Sequence, residues 1–245
     1  MSKIKLVTLD MDGTLLQDDQ EVSTYTKEVI NQALDQGVQV VLCTGRPLPM
    51  CYDYSVDLSL DSYIVTNNGA EIWKVDKELL ERHTFPAEKV EALWKLGNDK
   101  NLHMWTVATD ELFHNSTRPD NFANHEWLKI GFGRLDELTR NELFRKLQDD
   151  PMIEVTNSSP NNIEVNHKGV NKVHAVERLC QLSNITMDEV MAVGDSMNDY
   201  KMLEQVGLGV AVANGQQEIL NVADVITASN NDHGVGKAIE KYVLK

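Results

Sequence analysis

The stretch Leu6-Val7-Thr8-Leu9-Asp10-Met11-Asp12-Gly13-Thr14 constrains this chain more than any other. Four apolar or β-branched residues run straight into two aspartates and a glycine, which reads as a buried strand that stops where a turn begins. In an α/β sheet, ligands collect beyond the carboxyl ends of such strands. If strand geometry persists through Asp12, the period-two alternation puts Asp10 and Asp12 on the same side. Two carboxylates there repel unless one is protonated or a cation lies between them, and hard oxygen donors suit Mg²⁺. A lone Asp-x-Asp is better explained as a turn with acidic caps, so the rest of the chain has to supply partners.

The segment that follows has the rhythm of a parallel sheet. Ser23 to Gln36 reads as a helix, with Ser23 as N-cap, apolar residues at Val29, Ala33 and Leu34, and Gly37 as its stop. Val38 to Cys43 is a continuous apolar strand that delivers Thr44-Gly45-Arg46-Pro47. Strand, helix and strand with short links form a βαβ unit with a right-handed crossover. A hydroxyl and a glycine amide at a strand end both suit a phosphate oxygen, whereas Thr-Gly-Arg on its own is better explained as a cap for the next helix. Arg46 suits a phosphate or a surface carboxylate about equally. Ser62 to Thr66 reads as a third strand, and Asn67-Asn68-Gly69 as a tight turn leading into Glu71-Ile72-Trp73.

From residue 84 to residue 166 the pattern changes. Pro86 opens an amphipathic helix, strands are expected at Leu102 to Val107 and Glu111 to His114, a second helix at Leu138 to Leu147, and strands at Ile153 to Thr156 and Ile163 to Val165. The order, αββ then αββ, predicts an antiparallel sheet with helices on one face, inserted into a core formed by 1–83 and 167–245. Gly169 to Leu182 reads as a helix with Lys168 and Lys172 near its start, where the helix dipole disfavours cations. Thr186 to Glu189 has capping-box spacing. Val190 to Gly194 then forms a buried strand that ends at Asp195-Ser196-Met197-Asn198-Asp199, and βα alternation continues to a closing helix at Val235 to Val243.

Asp10-Met11-Asp12-Gly13-Thr14 resembles the first motif, DxDGT, of the haloacid dehalogenase-like phosphatase superfamily. The string GDSMND at 194–199 resembles its fourth, GDxxND. Thr44 is similar to the second-motif hydroxyl residue. Lys172 is similar to the third-motif lysine, with Val173 where the family often has glycine and Lys168 as the alternative. The Asn68-Gly69-Ala70 string and the position of the insertion resemble the Cof-type members, subfamily IIB. The resemblance implies a Rossmann-like parallel α/β core with an inserted α+β cap that selects the substrate. It implies Asp10 as nucleophile, Asp12 as general acid and base, and Mg²⁺ held by Asp10, Asp12 and Asp195. It further implies Thr44, Gly45, Lys172 and Asn198 on the phosphoryl group, with Arg46, Asn68 and Asp199 in supporting roles, Asp199 holding the lysine or metal-bound water. In the inserted segment Trp105, His114, Asn115, Arg118 and Asn162 are candidate substrate contacts without a signature of their own.

The expected activity is therefore Mg²⁺-dependent hydrolysis of a small phosphorylated metabolite through an aspartyl-phosphate. A phosphomutase uses the same intermediate. A phospho-accepting receiver domain also gathers acidic residues, a hydroxyl and a lysine round Mg²⁺, but its acidic pair is usually adjacent and it lacks an insertion. A net charge of −15 argues against nucleic acid or an anionic membrane as partner. Cys43, Cys51 and Cys180 show neither disulfide nor zinc spacing. No apolar run reaches the roughly 18 residues of a membrane span, and no signal peptide is read, so a cytoplasmic protein is expected.

Overall fold

The structure is a computed structural model that describes residues 4–244. The chain divides into two units, one of residues up to Glu81 together with those from Lys172 onward, the other Arg82–Asn171. The inserted unit thus begins at Arg82 where the sequence suggests 84, and ends at Asn171 where it suggests 166.

The first unit alternates strand and helix. β1 (Leu6–Leu9) leads to α1 (Thr24–Asp35), β2 (Gln39–Cys43), the short α2 (Tyr52–Asp57) and β3 (Tyr63–Thr66). The Ser23 hydroxyl caps α1 by accepting the Thr26 N–H at 3.2 Å, as its sequence suggests. A turn at Asn67–Gly69 leads to β4 (Glu71–Lys74), antiparallel to β3, and then β5 (Leu79–Arg82). Three successive residues of that turn, Asn67, Asn68 and Gly69, have left-handed backbone, which asparagine and glycine tolerate best.

The second unit runs α3 (Ala87–Asp99), β6 (His103–Ala108), β7 (Leu112–His114), β8 (Trp127–Gly133), α4 (Glu137–Leu147), β9 (Ile153–Thr156) and β10 (Ile163–His167). Its sheet has the order β7-β6-β8-β10-β9 and is antiparallel throughout. Trp94 of α3 and Leu143 of α4 share one apolar cluster with Ile130, Phe132 and Val165, so both helices cover the same face. The central strand β8 is absent from the sequence expectation. Lys129 and the glycines at 131 and 133 disguise it, and each has a packing reason. Lys129 Nζ meets Glu164 at 3.3 Å inside the unit. A Cβ on Gly131 would stand 2.2 Å from the Trp105 indole, which lies against that strand.

The chain returns through α5 (Lys172–Ser183), β11 (Val190–Gly194), α6 (Tyr200–Gln205), β12 (Leu208–Ala211), α7 (Gln217–Val222), β13 (Val225–Ile226) and α8 (Gly234–Tyr242). Helix α5 starts at Lys172 rather than Gly169, because Gly169 takes a left-handed φ of 82° that breaks the helical path. The eight-stranded sheet has the order β13-β12-β11-β1-β2-β3-β4-β5. One face packs Val7, Leu9, Val40 and Met191 against α1 and α8 through Val29, Ile30 and Ile239. The other packs Leu6, Val41 and Ala192 against α5, α6 and α7 through Val176, Met202 and Ile219. Such burial, at about 25 cal/mol per Å² of apolar surface, anchors the central strands. Among the described residues no helix is long and apolar enough to cross a membrane.

Candidate active site

Sheet register brings the chemistry-bearing residues to one edge. Leu9 pairs with Leu42 on one side and Val193 on the other, so β1, β2 and β11 end level. Asp10 extends the ladder by one bond, from its N–H to the Val193 carbonyl at 3.0 Å. Thr44 and Asp195 follow directly on β2 and β11. Beyond Asp10 the chain turns, so the strand alternation from which Asp10 and Asp12 were expected to share a side does not extend to Asp12.

Asp10 turns into a buried cluster. Lys172, wholly buried at the first position of α5, donates from Nζ to Asp10 Oδ1 at 2.5 Å and to Asp199 Oδ1 at 2.7 Å. Asp199 Oδ2 accepts the N–H groups of Asp195 and Ser196, both at 3.1 Å. Asp195 Oδ1 accepts the Thr14 hydroxyl at 2.9 Å, and its Oδ2 the Ser196 hydroxyl at 2.7 Å. The lysine opposing the helix dipole is thus held by two carboxylates. Burial works against its charge, but Asp10 and Asp199 outweigh that and raise its pKa. Burial also pushes Asp10 well above the usual carboxylate range; Lys172 opposes this, while Asp199 and Asp195 add to it. Burial, then the Asp199 charge, lifts Asp195 to about 6. One ammonium does not balance three carboxylates.

That surplus bears on the expected ion. Carboxylate oxygens of Asp10, Asp195 and Asp199 lie within 4.8 Å of one another. Three hard oxygen donors with an excess of negative charge fit a divalent cation such as Mg²⁺. Asp12, grouped with Asp10 and Asp195 by the sequence, is placed elsewhere. Its carboxylate is forked by Arg46, Nε to Oδ2 at 2.8 Å and Nη2 to Oδ1 at 2.5 Å. Arg46 is further seated by the Gln20 side chain at 2.6 Å, the Met50 carbonyl at 3.2 Å and the Tyr54 ring. The hydrogen bonds that the guanidinium donates to Asp12 hold its pKa above the ordinary value. Of the two readings of Arg46, this structure displays the carboxylate pair.

Thr44 is fully buried, and its hydroxyl accepts the Arg46 N–H at 3.1 Å, a local turn bond. Gly45 is partly buried beside it. The Asn68 N–H donates to the Thr44 carbonyl at 2.9 Å, and Asn198 Nδ2 donates to Asn68 Oδ1 at 3.2 Å. The loops after β2, β3 and β11 are therefore tied together. Asn198 Oδ1 is buried without a partner. Behind the turn, buried Glu71 accepts from Thr66, Asn67 and Trp73 at 3.0, 3.2 and 3.2 Å. Lys168, the alternative lysine, sits in the other unit near Glu154 at 3.5 Å. Of the inserted-unit candidates, Trp105 lies over Gly131, Asn115 binds the backbone of Met104 and Leu102, and Asn162 binds Ser158 and Ser159. His114 and Arg118 are exposed. Sequence reasoning gave no role to Thr14, Ser196, Gln20 or Glu71. The first two at least lie inside the quoted motifs, whereas Gln20 and Glu71 carry no signal.

A parallel sheet whose central strands end in such a cluster defines a hydrolase of one particular architecture. The haloacid dehalogenase-like hydrolase family model matches residues 7–129 and 117–239. The chain is 42% identical to the 5-amino-6-(5-phospho-D-ribitylamino)uracil phosphatase YcsE of Bacillus subtilis, over 98% of this chain and 96% of that protein. It is 30% identical to a phosphoglycolate phosphatase of Methanobrevibacter smithii, over 98% and 99% of the two chains. A solved haloacid dehalogenase-like hydrolase of B. subtilis superposes with a TM-score of 0.89 at 22% identity, over 97% of this chain and 99% of that one, which speaks for the fold. The chain belongs to the haloacid dehalogenase-like hydrolases. Within them it is a phosphatase of the Cof type.

Proposed function

We propose that the protein hydrolyses the phosphate monoester of a small metabolite in two steps through an aspartyl-phosphate on Asp10. The observation that carries this is the buried Lys172 ammonium, bonded to Asp10 Oδ1 and leaving Oδ2 to attack. Oδ2 attacks phosphorus and the ester P–O bond breaks. The departing alkoxide takes a proton from Asp12, which carries one once its carboxyl has left the Arg46 fork. Water then attacks the same phosphorus, Asp12 removes its proton, and Asp10 is released with inorganic phosphate. Thr44, Gly45, Lys172 and Asn198 position and neutralise the phosphoryl oxygens, the main task in such transfers. Asp10 and Asp195, with Asp199 beside them, would hold a Mg²⁺ ion, which when bound supplies Lewis-acid charge stabilisation. Together these groups have to contribute on the order of 20 kcal/mol, since uncatalysed monoester hydrolysis is so slow.

The inserted unit is proposed to select the substrate. Similarity to YcsE makes 5-amino-6-(5-phospho-D-ribitylamino)uracil the first compound to test, with phosphoglycolate and sugar phosphates beside it. Phosphate release is measured with and without Mg²⁺ and chelator, next to Asp10→Asn. Turnover that needs the ion and disappears in Asp10→Asn is expected. Undiminished release from Asp10→Asn overturns the nucleophile, and transfer to a sugar instead of water makes the protein a mutase.

A further inference from the structure

The loop that carries Asp12 is fastened from the far end of the chain. The Asn214 side chain, in the loop after β12, donates from Nδ2 to the Gly13 carbonyl at 2.7 Å. Its Oδ1 accepts the Asn230 N–H at 2.9 Å. That bond fixes the amide orientation: with the oxygen occupied by a donor, the NH₂ faces Gly13. Asn230 is itself buried, 5% exposed, and its own Nδ2 donates to the Leu16 carbonyl at 3.0 Å and to Asp18 Oδ1 at 3.2 Å. Asn231 completes the clasp, donating to Asp18 Oδ2 at 2.9 Å and accepting the Asp18 N–H at 3.0 Å. Three asparagines thus hold the turn at Gly13, Leu16 and Asp18, while Asp10 needs none of them, being fixed by β11 and Lys172.

We propose that Asn214, oriented by Asn230, is a positioning residue for the proton transfers of Asp12. The inference rests on the reading of Asp12 as general acid. Gly13 follows Asp12 directly and has a left-handed φ of 80°, and its carbonyl lies in the Gly13–Thr14 peptide, one Cα beyond the peptides that flank Asp12. Without the Asn214 bond that peptide keeps only the Thr14 N–H bond to the Met11 carbonyl at 3.3 Å, so the turn under Asp12 loosens and the Asp12 side chain depends on Arg46 alone, while the nucleophile keeps its own anchors. The consequence is selective. A leaving group that departs as a stable anion needs no proton, whereas an alkoxide does.

The test measures kcat/KM, which covers the first phosphoryl transfer, for an alkyl phosphate and for p-nitrophenyl phosphate. The proteins are wild type, Asp12→Ala, Asn214→Ala and the isosteric Asn214→Asp, which keeps the acceptor for Asn230 but has no NH₂ for Gly13. Both Asn214 variants are expected to lose about tenfold or more on the alkyl ester and no more than about threefold on the aryl ester, a smaller copy of the Asp12→Ala pattern. Equal loss on both esters, or loss on neither, overturns the positioning role while wild type and Asp12→Ala still behave as described. A wild type inactive on both, or an Asp12→Ala that spares the alkyl ester, removes the underlying reading and this inference with it. Asn214 is exposed, so its variants fold, whereas Asn230→Ala would cut into a buried bond network.

Discussion

Replacing Lys172 by methionine removes the ammonium from a buried site of three carboxylates. That ammonium stands 2.5 Å from Asp10 and 2.7 Å from Asp199. At an effective dielectric of about 20, each contact is worth about 6 kcal/mol of attraction, set against several kcal/mol of desolvation for each buried ion. Losing one partner of such a pair while its mates stay behind costs about 3–5 kcal/mol, a large part of the roughly 5–15 kcal/mol that holds a protein folded. Protonation returns some of the loss, because burial already pushes Asp10 well above the usual range and Asp195 to about 6. The deficit is therefore greatest near pH 8 and shrinks towards pH 5. Urea unfolding of wild type and Lys172→Met at both pH values measures it. A deficit under about 1 kcal/mol at pH 8, or one that grows as the pH falls, refutes the reasoning. Phosphate release should fall by at least about 100-fold. If the single variant does not fold, Lys172→Met with Asp199→Asn takes its place, recovering stability but not turnover.

Two further expectations come from the same edge of the sheet. Asp195 has a folded pKa of about 6 against an ordinary 3.8, so the folded chain holds its proton longer than the unfolded one. Its contribution is most favourable below the unfolded pKa and is lost as pH rises through about 6, a change of about 3 kcal/mol in ion-free protein. Melting in EDTA should show a fall from pH 5 to pH 8 that Asp195→Asn flattens; a wild-type slope equal to that of the variant contradicts it. Gly13→Ala asks an L-residue to adopt a φ of 80° and sets its Cβ 3.0 Å from Asp195 Oδ2. It should cost about 1–2 kcal/mol on the backbone alone and lower turnover with it, and an unchanged melting temperature would count against the left-handed turn.

What could be read beforehand follows the range over which its cause acts. The strands β1, β2 and β11 were legible because each is a short apolar run closed by a turn residue, and the N-cap at Ser23 because its partner is three residues away. That β1 ends short of Asp12 was not legible, since the sheet gives out at Asp10 and nothing in Asp-Met-Asp marks where. β8 was missed for a related reason: Gly131 is small because Trp105 needs the space, and Lys129 is buried because Glu164 answers it, both dictated by other strands. In the site, motif residues such as Asp199 were visible, but the grip of Arg46 on Asp12 links positions 34 residues apart. The Asn214 bond to Gly13 spans 201. No local pattern encodes either one.

The sign of the charge around Asp10 has a consequence for how a phosphate enters. The chain carries −15 overall, and the cluster of Asp10, Asp195 and Asp199 round Lys172 keeps formal negative charge in excess when all are ionised. A phosphate dianion brought about 5 Å from each surplus charge meets repulsion of about 3 kcal/mol per pair of unit charges at an effective dielectric of about 20, so one surplus charge opposing both charges of the dianion already costs about twice that. Neither Thr44 nor Asn198 offers a compensating cation, and Arg46 is occupied by Asp12. Under the proposed function the site therefore accepts phosphate only when a divalent ion has cancelled the local surplus. Inorganic phosphate, a product, should raise the melting temperature of the protein at pH 8 in the presence of Mg²⁺ and leave it unchanged in EDTA. Equal stabilisation in both would mean that the side chains bind the anion unaided, and the argument from surplus charge would fail.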